Sequence, residues 1–560
     1  MTEEPPPRPS QKRMTAHVNR GLAWVGFASS LVGVYDFLSL LIILNFWISP
    51  DEYGIATLAV WIYPILDQAT DLGLSAAVIQ RDDHDPDKIS TVFWINLTLA
   101  GLLFVALALI APLAGAAYGH AIIGYMMIAY GTKIIWQNVY FIPAALMKRE
   151  LRFKELSIIR ILANTAEFAG KVGFAWAGFG IWCFVLGPLC RVLVTGVGCQ
   201  ICHPWRPRLV LRVAGAREYI RFGLKSSGSQ ILFYFYTNVD YPIVGAFFGP
   251  TALGIYRAAY EIVLEPVRVI SNVVVDVAFP AFAKLRHSRE RLIAQLVSFT
   301  RLNLITVMTF SALVFVAAPE IIGVFFPKYA GAEDGARILC GVAVLRSVGF
   351  VIPPLLDGTG NPHRTFNYML SAAIVLPLSF LLGAAALGGS LGFLSVAVAW
   401  AIGYPIAFGV LIWLASHTLG WTPWGYVRSV AGVAGCMLGA AVVGLGVRSA
   451  LLGRVPDLVL LLIVAGVIAL VTGLLLAYTQ GLSLRRLRRA LQGDPTADLS
   501  SPDLDLGEVV RAAAAADVAG AAATAAEGAA MAATAATAAA DRGDTADTAA
   551  AATAERRSEP

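Results

Sequence analysis

One apolar segment of the chain carries charged side chains at helical spacing. Between Leu253 and Phe282 its polar residues advance by four, four, three, four and four positions, as Arg257, Glu261, Glu265, Arg268, Asn272 and Asp276. At about 100° per residue these positions fall within a wedge of roughly 100° on a helix. Arginines can hold an anionic group bidentately, and buried carboxylates can carry a coupling proton. The spacing therefore predicts a polar helix face that cannot contact lipid.

A second segment repeats this arrangement. Arg160, Asn164, Glu167 and Lys171 are spaced by four, three and four residues, within about 60° of arc. Other apolar runs are interrupted by Asp36, Asp67, Gln68, Asp71, Lys133, Gln137, Asn138, Lys225, Tyr234, Tyr236, Asn238 and Asp240. A charge at mid-bilayer costs at least about 2.5–3.5 kcal/mol, so each needs a partner or a water-filled cavity. Any single charge can be explained by structural pairing, but the whole set predicts a polar central cavity.

The composition places these segments in a membrane. Hydrophobic residues make up 57% of the 560 positions and charged residues 14%, against about 25% charged residues in a soluble chain. Runs of about 18 or more apolar residues, long enough to cross the hydrocarbon core, recur along the sequence. The sequence therefore predicts an all-α polytopic membrane protein. The first apolar run is too long for a cleavable signal peptide, so we expect it to remain as an anchor.

Fourteen transmembrane spans account for the apolar runs. Lysine and arginine concentrate in loops on one side, as in "KRELRFK" (Lys148–Lys154) and "KLRHSRER" (Lys284–Arg291). The other side has little beyond Lys328, Arg448 and Arg454. This bias predicts that both termini are cytoplasmic. The net charge of +5 follows this sidedness, so it does not indicate a nucleic-acid partner.

Two short motifs indicate an internal repeat. "SPDEYGI" and "GPTALGI" place Pro50 and Gly54 in step with Pro250 and Gly254. Each lies in the outer turn after the first span of a six-span group, so the copies have the same orientation, as in a parallel repeat. Chance remains the alternative for so short a motif. The predicted division is a cytoplasmic segment (1–21), two six-helix lobes (22–215 and 216–418) with pseudo-twofold symmetry, two extra helices (419–480) and a cytoplasmic tail (481–560).

These residues resemble a known family. "ISPDEYGIATLAVWIYPILDQATDLGLSAAVIQR" resembles the opening of Wzx-type polysaccharide flippases of the MOP exporter superfamily. "NVDYPIVGAFFGPTALGIYRAAYEIVLEPVRVISNVVVDVAFPAFAKLR" is similar to the start of that family's second lobe, and "KRELRFKEL", "WRPRL" and "DGTGNPHRTF" fit its cytoplasmic loops. The resemblance runs from about Arg20 to Ser416 and is strongest to the colanic and teichuronic acid branch. It implies flipping of undecaprenyl-pyrophosphate-linked oligosaccharide across the bacterial inner membrane by alternating access.

This resemblance suggests roles for the polar residues. The predicted substrate-cavity residues, which would bind pyrophosphate or sugar, are Lys133, Arg160, Lys225, Tyr234, Arg257, Arg268 and Asn272. The predicted coupling or ion-pair carboxylates are Asp71, Glu167, Asp240, Glu261 and Glu265. Related flippases place cationic residues in the first two spans, whereas this chain has Asp36, Asp67 and Asp71 there. The cationic role therefore shifts to spans four, five, seven and eight. No cofactor is expected beyond a coupling H⁺ or Na⁺.

The remaining motifs are weak indications of function. Cys199 and Cys202 form one CxxC without a second pair, which favours packing inside a helix over a zinc or redox site. "RDDHDPDK" reads as a solvated loop rather than a metal site, so no metal is predicted. "SLRRLRRALQG" after the last span is a basic amphipathic stretch that suits the inner membrane surface and its anionic lipids. The alanine-rich end is linker-like, and we expect it to be disordered.

Three functions remain open from the sequence. The first is the oligosaccharide flippase, whose partners would be the lipid-linked substrate, membrane lipids, and the polymerase and glycosyltransferases of its pathway. The second is a drug or metabolite exporter of the same superfamily, which needs only twelve spans. The third is a membrane glycan polymerase or ligase. The predicted outer loops are too short for such an enzyme, and no Gly-rich phosphate loop or hydrolase motif is present in the sequence. We therefore expect a transporter rather than an enzyme.

Overall fold

The computed structural model describes residues 31–71, 78, 85–210 and 228–480, and the regular elements in these ranges are all helical. The first helices are α1 (Leu31–Phe46), α2 (Pro50–Val60), α3 (Tyr63–Asp71), α4 (Pro86–Ala117), α5 (Ala121–Val139), α6 (Phe141–Arg149), α7 (Phe153–Trp176) and α8 (Cys183–Cys202). They are followed by α9 (228–238), α10 (Asp240–Leu285), α11 (Arg289–Phe325), α12 (Ala332–Gly358), α13 (Pro362–Leu391), α14 (Leu394–Leu419), α15 (Pro423–Leu451) and α16 (Asp457–Gln480). Short 3₁₀ helices lie at Gly180–Trp182 and Pro327–Tyr329.

Eight helices of the described ranges are long and apolar enough to cross a membrane: α4, α8 with its preceding 3₁₀ turn, and α11 to α16. Helix α1 is apolar but shorter in its described part. Helices α7 and α10, which carry the two charged stripes, are not among the eight. The chain is thus an integral membrane protein, and α7 and α10, which bear most of the predicted site residues, each carry several charged side chains.

Neighbouring helices pack mainly as pairs. Helix α4 packs on α5, α7 on α8, α13 on α14 and α15 on α16, while α12 packs on both α10 and α11. The α15–α16 pair lies against α11. Two predicted spans are interrupted: the second is divided between α2 and α3, and the fourth between α5 and α6. Asn138 lies next to the break between α5 and α6 and is buried, whereas Asp67 lies within α3.

Both copies of the Pro–Gly motif begin a helical segment with proline in its first turn. In α2, Ser49 and Glu52 form a capping box: the Ser49 side chain accepts from the Glu52 amide at 3.4 Å, and the Ser49 amide donates to Glu52 Oε2 at 2.9 Å. In α10, the helix breaks at Gly249, whose φ of 83° suits glycine, and restarts at Pro250. The sequence motif therefore marks the same kind of turn twice.

The two motifs also contact each other reciprocally. A Cβ atom on Gly54 would collide with the carbonyl oxygen of Pro250, and a Cβ atom on Gly254 would collide with the carbonyl oxygen of Pro50. Helices α2 and α10 therefore cross at backbone contact distance, as small residues allow in membrane helices. We call these four residues the Pro–Gly contact. The equivalence of the two turns follows from the sequence, but their mutual contact does not.

Further hydrogen bonds join early and late parts of the chain at this end of the bundle, which we call the hairpin end. Thr251 Oγ1 donates to Asp51 Oδ1 at 2.9 Å. Lys328 Nζ donates to the Phe46 carbonyl at 3.0 Å, and the Tyr329 hydroxyl to the Ile48 carbonyl at 3.3 Å. The 3₁₀ turn of Gly180 also lies here, because its added Cβ would sit 3.9 Å from Glu52 Oε1. The hairpin end is thus closed by backbone packing and a small number of polar bonds.

The Pro–Gly contact makes a first prediction. Gly54→Ala or Gly254→Ala inserts a methyl group where a carbonyl oxygen lies, at an overpacking cost of roughly 1–3 kcal/mol. In a background lacking the six native cysteines, Asp51→Cys with Thr251→Cys should crosslink under oxidant. Either alanine variant should lower the crosslinked fraction by a factor of about five or more.

Gly341→Ala is the matched control, because an added Cβ there meets nothing within 4 Å. It should crosslink as the parent does. Equal crosslinking of all three alanine variants would contradict the reciprocal contact.

Candidate functional site

The charged stripe of α10 is organised as two ion pairs. Arg257 bonds Glu261, one turn away, and also the Tyr241 hydroxyl. Arg268 Nη2 lies 2.6 Å from Glu265 Oε2, and its Nε donates to the same oxygen at 2.8 Å. The two pairs that the spacing predicts are therefore formed. Within each pair the two charges neutralise one another, so this polar face of the helix has little net charge.

A cavity of about 1030 Å³ lies beside the second half of this stripe. Its walls come from α9, the Leu285 half of α10, the Gly358 half of α12, the start of α13, and Tyr404 of α14. Three predicted substrate residues line it together: Tyr234, Arg268 and Asn272. Aromatic rings supply much of the remaining wall, including Phe233, Tyr236, Phe350, Phe366 and Tyr368. Its size is at the upper end of small-molecule sites, which span about 300–1,000 Å³.

The early helices hold a second charged cluster. Lys133 of α5 donates to Asp67 Oδ2 of α3 at 2.7 Å. Glu167 of α7 has two cationic neighbours: Lys171 Nζ is 2.8 Å from Oε1, and Arg191 Nε is 3.0 Å from Oε2. Lys133 and Glu167 are both buried. Asp36 of α1 lies within electrostatic range of Lys171 and Arg191, so the three cations of the cluster face three carboxylates.

Asp240, at the start of α10, is fully buried. It accepts from the Tyr256 hydroxyl at 2.6 Å, from Trp400 Nε1 at 3.0 Å and from the Tyr241 amide at 3.0 Å. Three donors on two helices satisfy a carboxylate well. This carboxylate thus fastens α14 to the start of α10.

The other predicted residues are dispersed. Asp71 ends α3, and Arg160 lies on the exposed side of α7, where its carbonyl accepts from Asn164 at 2.7 Å. Lys225 lies outside the described residues, as do the segment 1–21, the first half of the "RDDHDPDK" loop (81–84) and the tail after Gln480. No cluster of metal-binding side chains occurs in the part of the chain that is described. Arg257 and Glu261 lie between the cavity and the hairpin end.

Three arginines inside predicted spans were missed from the sequence, namely Arg191, Arg346 and Arg301, which is buried in α11 and donates to the Ser429 carbonyl at 3.1 Å. Arg191 interrupts the apolar run of α8, and Arg346 interrupts that of α12. A single charge within a predicted span was the signal available for each, but none belongs to a stripe with helical spacing. The structure places Arg191 against Glu167 and Arg346 in the cavity wall.

Comparison with known proteins gives a family match. Residues 43–329, just over half of the chain, match the family described as "Polysaccharide biosynthesis protein". The matched region includes the charged cluster of the early helices, the Pro–Gly contact and the stripe of α10.

Named relatives cover most of the helical region. The teichuronic acid biosynthesis protein TuaB of Bacillus subtilis is 27% identical over 363 residues, which is 64% of this chain and 74% of TuaB. The lipopolysaccharide biosynthesis protein WzxC of Escherichia coli is 25% identical over 391 residues, 68% of this chain and 78% of WzxC. The succinoglycan biosynthesis transport protein ExoT of Rhizobium meliloti is 24% identical over 392 residues, 68% of this chain and 76% of ExoT.

Solved structures share the fold. The lipid II flippase MurJ in an inward closed conformation aligns with a TM-score of 0.63 at 14% identity, covering 82% of this chain and 98% of that one. An inward-facing MATE multidrug transporter of the MOP superfamily aligns with a TM-score of 0.54 at 15% identity, covering 71% and 98%. At these identities the likeness describes the helical architecture alone.

The early cluster makes a second prediction. Glu167→Gln removes the carboxylate that balances Lys171 and Arg191, and loss of one member of a buried pair costs about 3–5 kcal/mol. Thermal unfolding of the purified protein in detergent, followed by tryptophan fluorescence, should show a marked fall in Tm.

Asp334→Asn is the comparison variant. It breaks an exposed pair with Arg337 at 3.0 Å, and such pairs contribute about 0–1 kcal/mol. If both variants melt at the same temperature, Glu167 is not a structural counter-ion.

Proposed function

Because the chain belongs to the polysaccharide biosynthesis protein family, we propose that it flips undecaprenyl-pyrophosphate-linked oligosaccharide across the bacterial cytoplasmic membrane by alternating access. The family match carries this proposal, and the aromatic and cationic cavity supplies a place for the substrate. The named relatives serve teichuronic acid, lipopolysaccharide and succinoglycan biosynthesis. These relatives favour polysaccharide export over the multidrug alternative. The chain is a transporter rather than an enzyme.

The proposed topology has fourteen spans. Two six-helix lobes, 22–215 and 216–418, are related by a pseudo-twofold axis, and residues 419–480 add two helices. The reciprocal Pro–Gly contact supports this division, because each motif packs on the other as a twofold axis requires. The hairpin end faces outward in this topology, since the basic loops lie at the opposite end. Residues 1–21 and 481–560 then lie in the cytoplasm.

The described conformation corresponds to the state closed at the outer face. The cavity extends along α10 and α12 toward Leu285 and Gly358, at the end away from the Pro–Gly contact. Substrate would enter from that end. Release of substrate at the hairpin end requires α2 and α10 to separate. The free-energy cost of this separation is kept low because the glycines bring the two backbones together without interlocking large side chains.

Arg268 is the proposed pyrophosphate ligand. It lines the cavity while still paired with Glu265, and its guanidinium can exchange that carboxylate for a phosphate. Asn272, one turn along α10, can donate to a second oxygen, and Tyr234 offers a ring for a sugar face. Exchange at Arg268 removes the ion-pair partner of Glu265 and leaves only the more distant Arg257 and Arg346 near it, and a buried carboxylate that loses its partner takes up a proton more readily. Substrate binding and proton uptake would thereby be coupled at one pair.

The remaining sequence candidates keep supporting roles in this proposal. Additional cationic and carboxylate groups along the route are Lys133, Arg160, Lys225, Arg257, Asp71, Glu167, Asp240 and Glu261. Sodium in place of the proton is the second coupling ion to test. The polymerase and glycosyltransferases of the same pathway are the proposed protein partners, alongside the surrounding membrane lipids.

Loss of Arg268 gives a third prediction. Proteoliposomes that contain labelled polyprenyl-pyrophosphate oligosaccharide should move the label between leaflets, and Arg268→Ala should abolish this transfer while leaving expression and membrane insertion intact. Arg337→Ala, which removes a half-buried arginine whose partner Asp334 is exposed at the hairpin end, should transport normally. Transfer at the parent rate by Arg268→Ala would remove this residue from the site.

Locking the hairpin end gives a fourth prediction. Oxidation of the Asp51→Cys, Thr251→Cys protein should stop transport in the same proteoliposomes, because α2 and α10 can no longer part. Reduction should restore it. A crosslinked protein that transports at the rate of its reduced form would rule out release through this end.

A further inference from the structure

Arg346 lies in the middle of a helix that is long and apolar enough to cross a membrane. This helix is α12 (Ala332–Gly358), and the residue lies about 20 Å from either end at 1.5 Å per residue. The residue is 5% exposed and forms part of the cavity wall. An arginine in this position is costly, since its charge cannot be withdrawn by deprotonation.

The charge of Arg346 has no carboxylate partner within ion-pair distance among the described residues. Its Nη1 donates to the Tyr260 hydroxyl at 2.9 Å. Its guanidinium carbon lies 5.5 Å from the ring centroid of Trp400 and 5.8 Å from that of Phe350. By contrast, Lys133, Arg257 and Arg268 each bond a carboxylate. Arg346 is therefore contacted directly by neutral groups, while the carboxylates of Asp240 and Glu265 act on its charge from beyond ion-pair distance.

The unused donors of Arg346 face the cavity. A guanidinium has five N–H donors, and the structure assigns one nitrogen to Tyr260. No nitrogen of Arg346 is buried without a hydrogen-bond partner. Because the residue is otherwise buried, the accessible space is the cavity that it lines. The aromatic rings around it remove water and strengthen any charge-assisted hydrogen bond made there.

The cavity is electrically polarised along its length. Arg268 and Arg346 lie at the end of the cavity nearer the Pro–Gly contact. Asp276, eight residues after Arg268, and Asp357, eleven after Arg346, lie toward the other end of the same helices. Asp357 accepts from the Thr365 hydroxyl at 2.7 Å. An anionic group is favoured beside the arginines, while the carboxylates suit the hydroxyl groups of a sugar.

We propose that Arg346 binds an anionic group of the transported substrate, with Tyr260 as the residue that positions its guanidinium. This proposal rests on the proposed function and adds a binding residue to it. The group presents phosphate or carboxylate oxygens, and it comes from one of two sources: the pyrophosphate of the lipid carrier or an acidic sugar of the glycan. Phe350, one turn from Arg346, provides a ring beside the bound group.

The test compares two anionic probes and one neutral probe on the full chain in detergent. The probes are inorganic pyrophosphate, cellobiouronic acid and its uncharged counterpart cellobiose, and isothermal titration reports their affinities. At least one anionic probe should bind the wild-type protein more tightly than cellobiose does. Arg346→Gln should weaken that probe by about tenfold or more, the effect of removing one charge-assisted hydrogen bond.

The variants separate charge from structure. Arg346→Lys keeps the charge and should retain part of the affinity, and Tyr260→Phe should weaken the same probe by a smaller factor. Arg337→Gln, on the same helix but paired with Asp334 at the surface, should bind as wild type does. If Arg346→Gln fails to fold, the loss of affinity in Tyr260→Phe carries the test.

Each outcome has a defined meaning. Pyrophosphate dependence on Arg346 assigns the group to the lipid carrier, and cellobiouronic acid dependence assigns it to the glycan. Equal affinities in wild type and Arg346→Gln, or no preference of the wild type for either anion over cellobiose, overturn the proposal. Leaflet transfer in proteoliposomes is scored separately. Transport by both wild type and Arg346→Gln would refute this inference alone, whereas absence of transport by wild type would refute the proposed function.

Discussion

The structure depends on one close approach between two backbones. At the Pro–Gly contact, each glycine packs against the carbonyl oxygen of the other motif's proline, so neither position accepts a side chain. The contact joins the early helices to the late ones at the hairpin end. It also leaves the charged stripe of α10 on the same helix as the closure, within a few turns of it. A change in the fit of α2 against α10 therefore acts directly on the helix that lines the cavity.

Buried charge is the second constraint, and the structure meets it in two ways. Most charged groups that we describe in the interior are paired: Lys133 with Asp67, Arg257 with Glu261, and Arg268 with Glu265. Arg346 is held by a hydroxyl group and aromatic rings. Pairing within the chain keeps the protein stable without substrate. A cation that no carboxylate contacts directly keeps more of its attraction for an anion, and this distinction separates supporting residues from binding residues.

Sequence periodicity predicts what happens along one helix. The stripe of α10 and its two ion pairs follow from spacings of three and four residues, and the turns at Pro50 and Pro250 follow from the Pro–Gly motifs. The same reasoning predicts an all-α membrane protein, although the count of fourteen spans remains a prediction. These features are accessible because helical geometry is local and has a fixed period.

Contacts between helices were not predictable in this way. The pairing of Lys133 with Asp67, the three donors around Asp240 and the reciprocal contact of the glycines all depend on how separate helices meet. Arg191 and Arg346 are single charges without a periodic companion, so no pattern distinguished them from a charge at a helix end. Their environments became visible only when α8 and α12 were placed against their neighbours.

The central claim is that the hairpin end opens when substrate is transported. Electron–electron distance measurements between spin labels at Asp51→Cys and Thr251→Cys test it directly, with labels at Lys154→Cys and Lys284→Cys reporting the opposite end. Without substrate, the first pair should give one short distance. With lipid-linked oligosaccharide in the membrane, a second, longer distance should appear at 51–251 together with a shorter one at 154–284. A single unchanged distance at 51–251 while the labelled protein transports substrate would contradict the account.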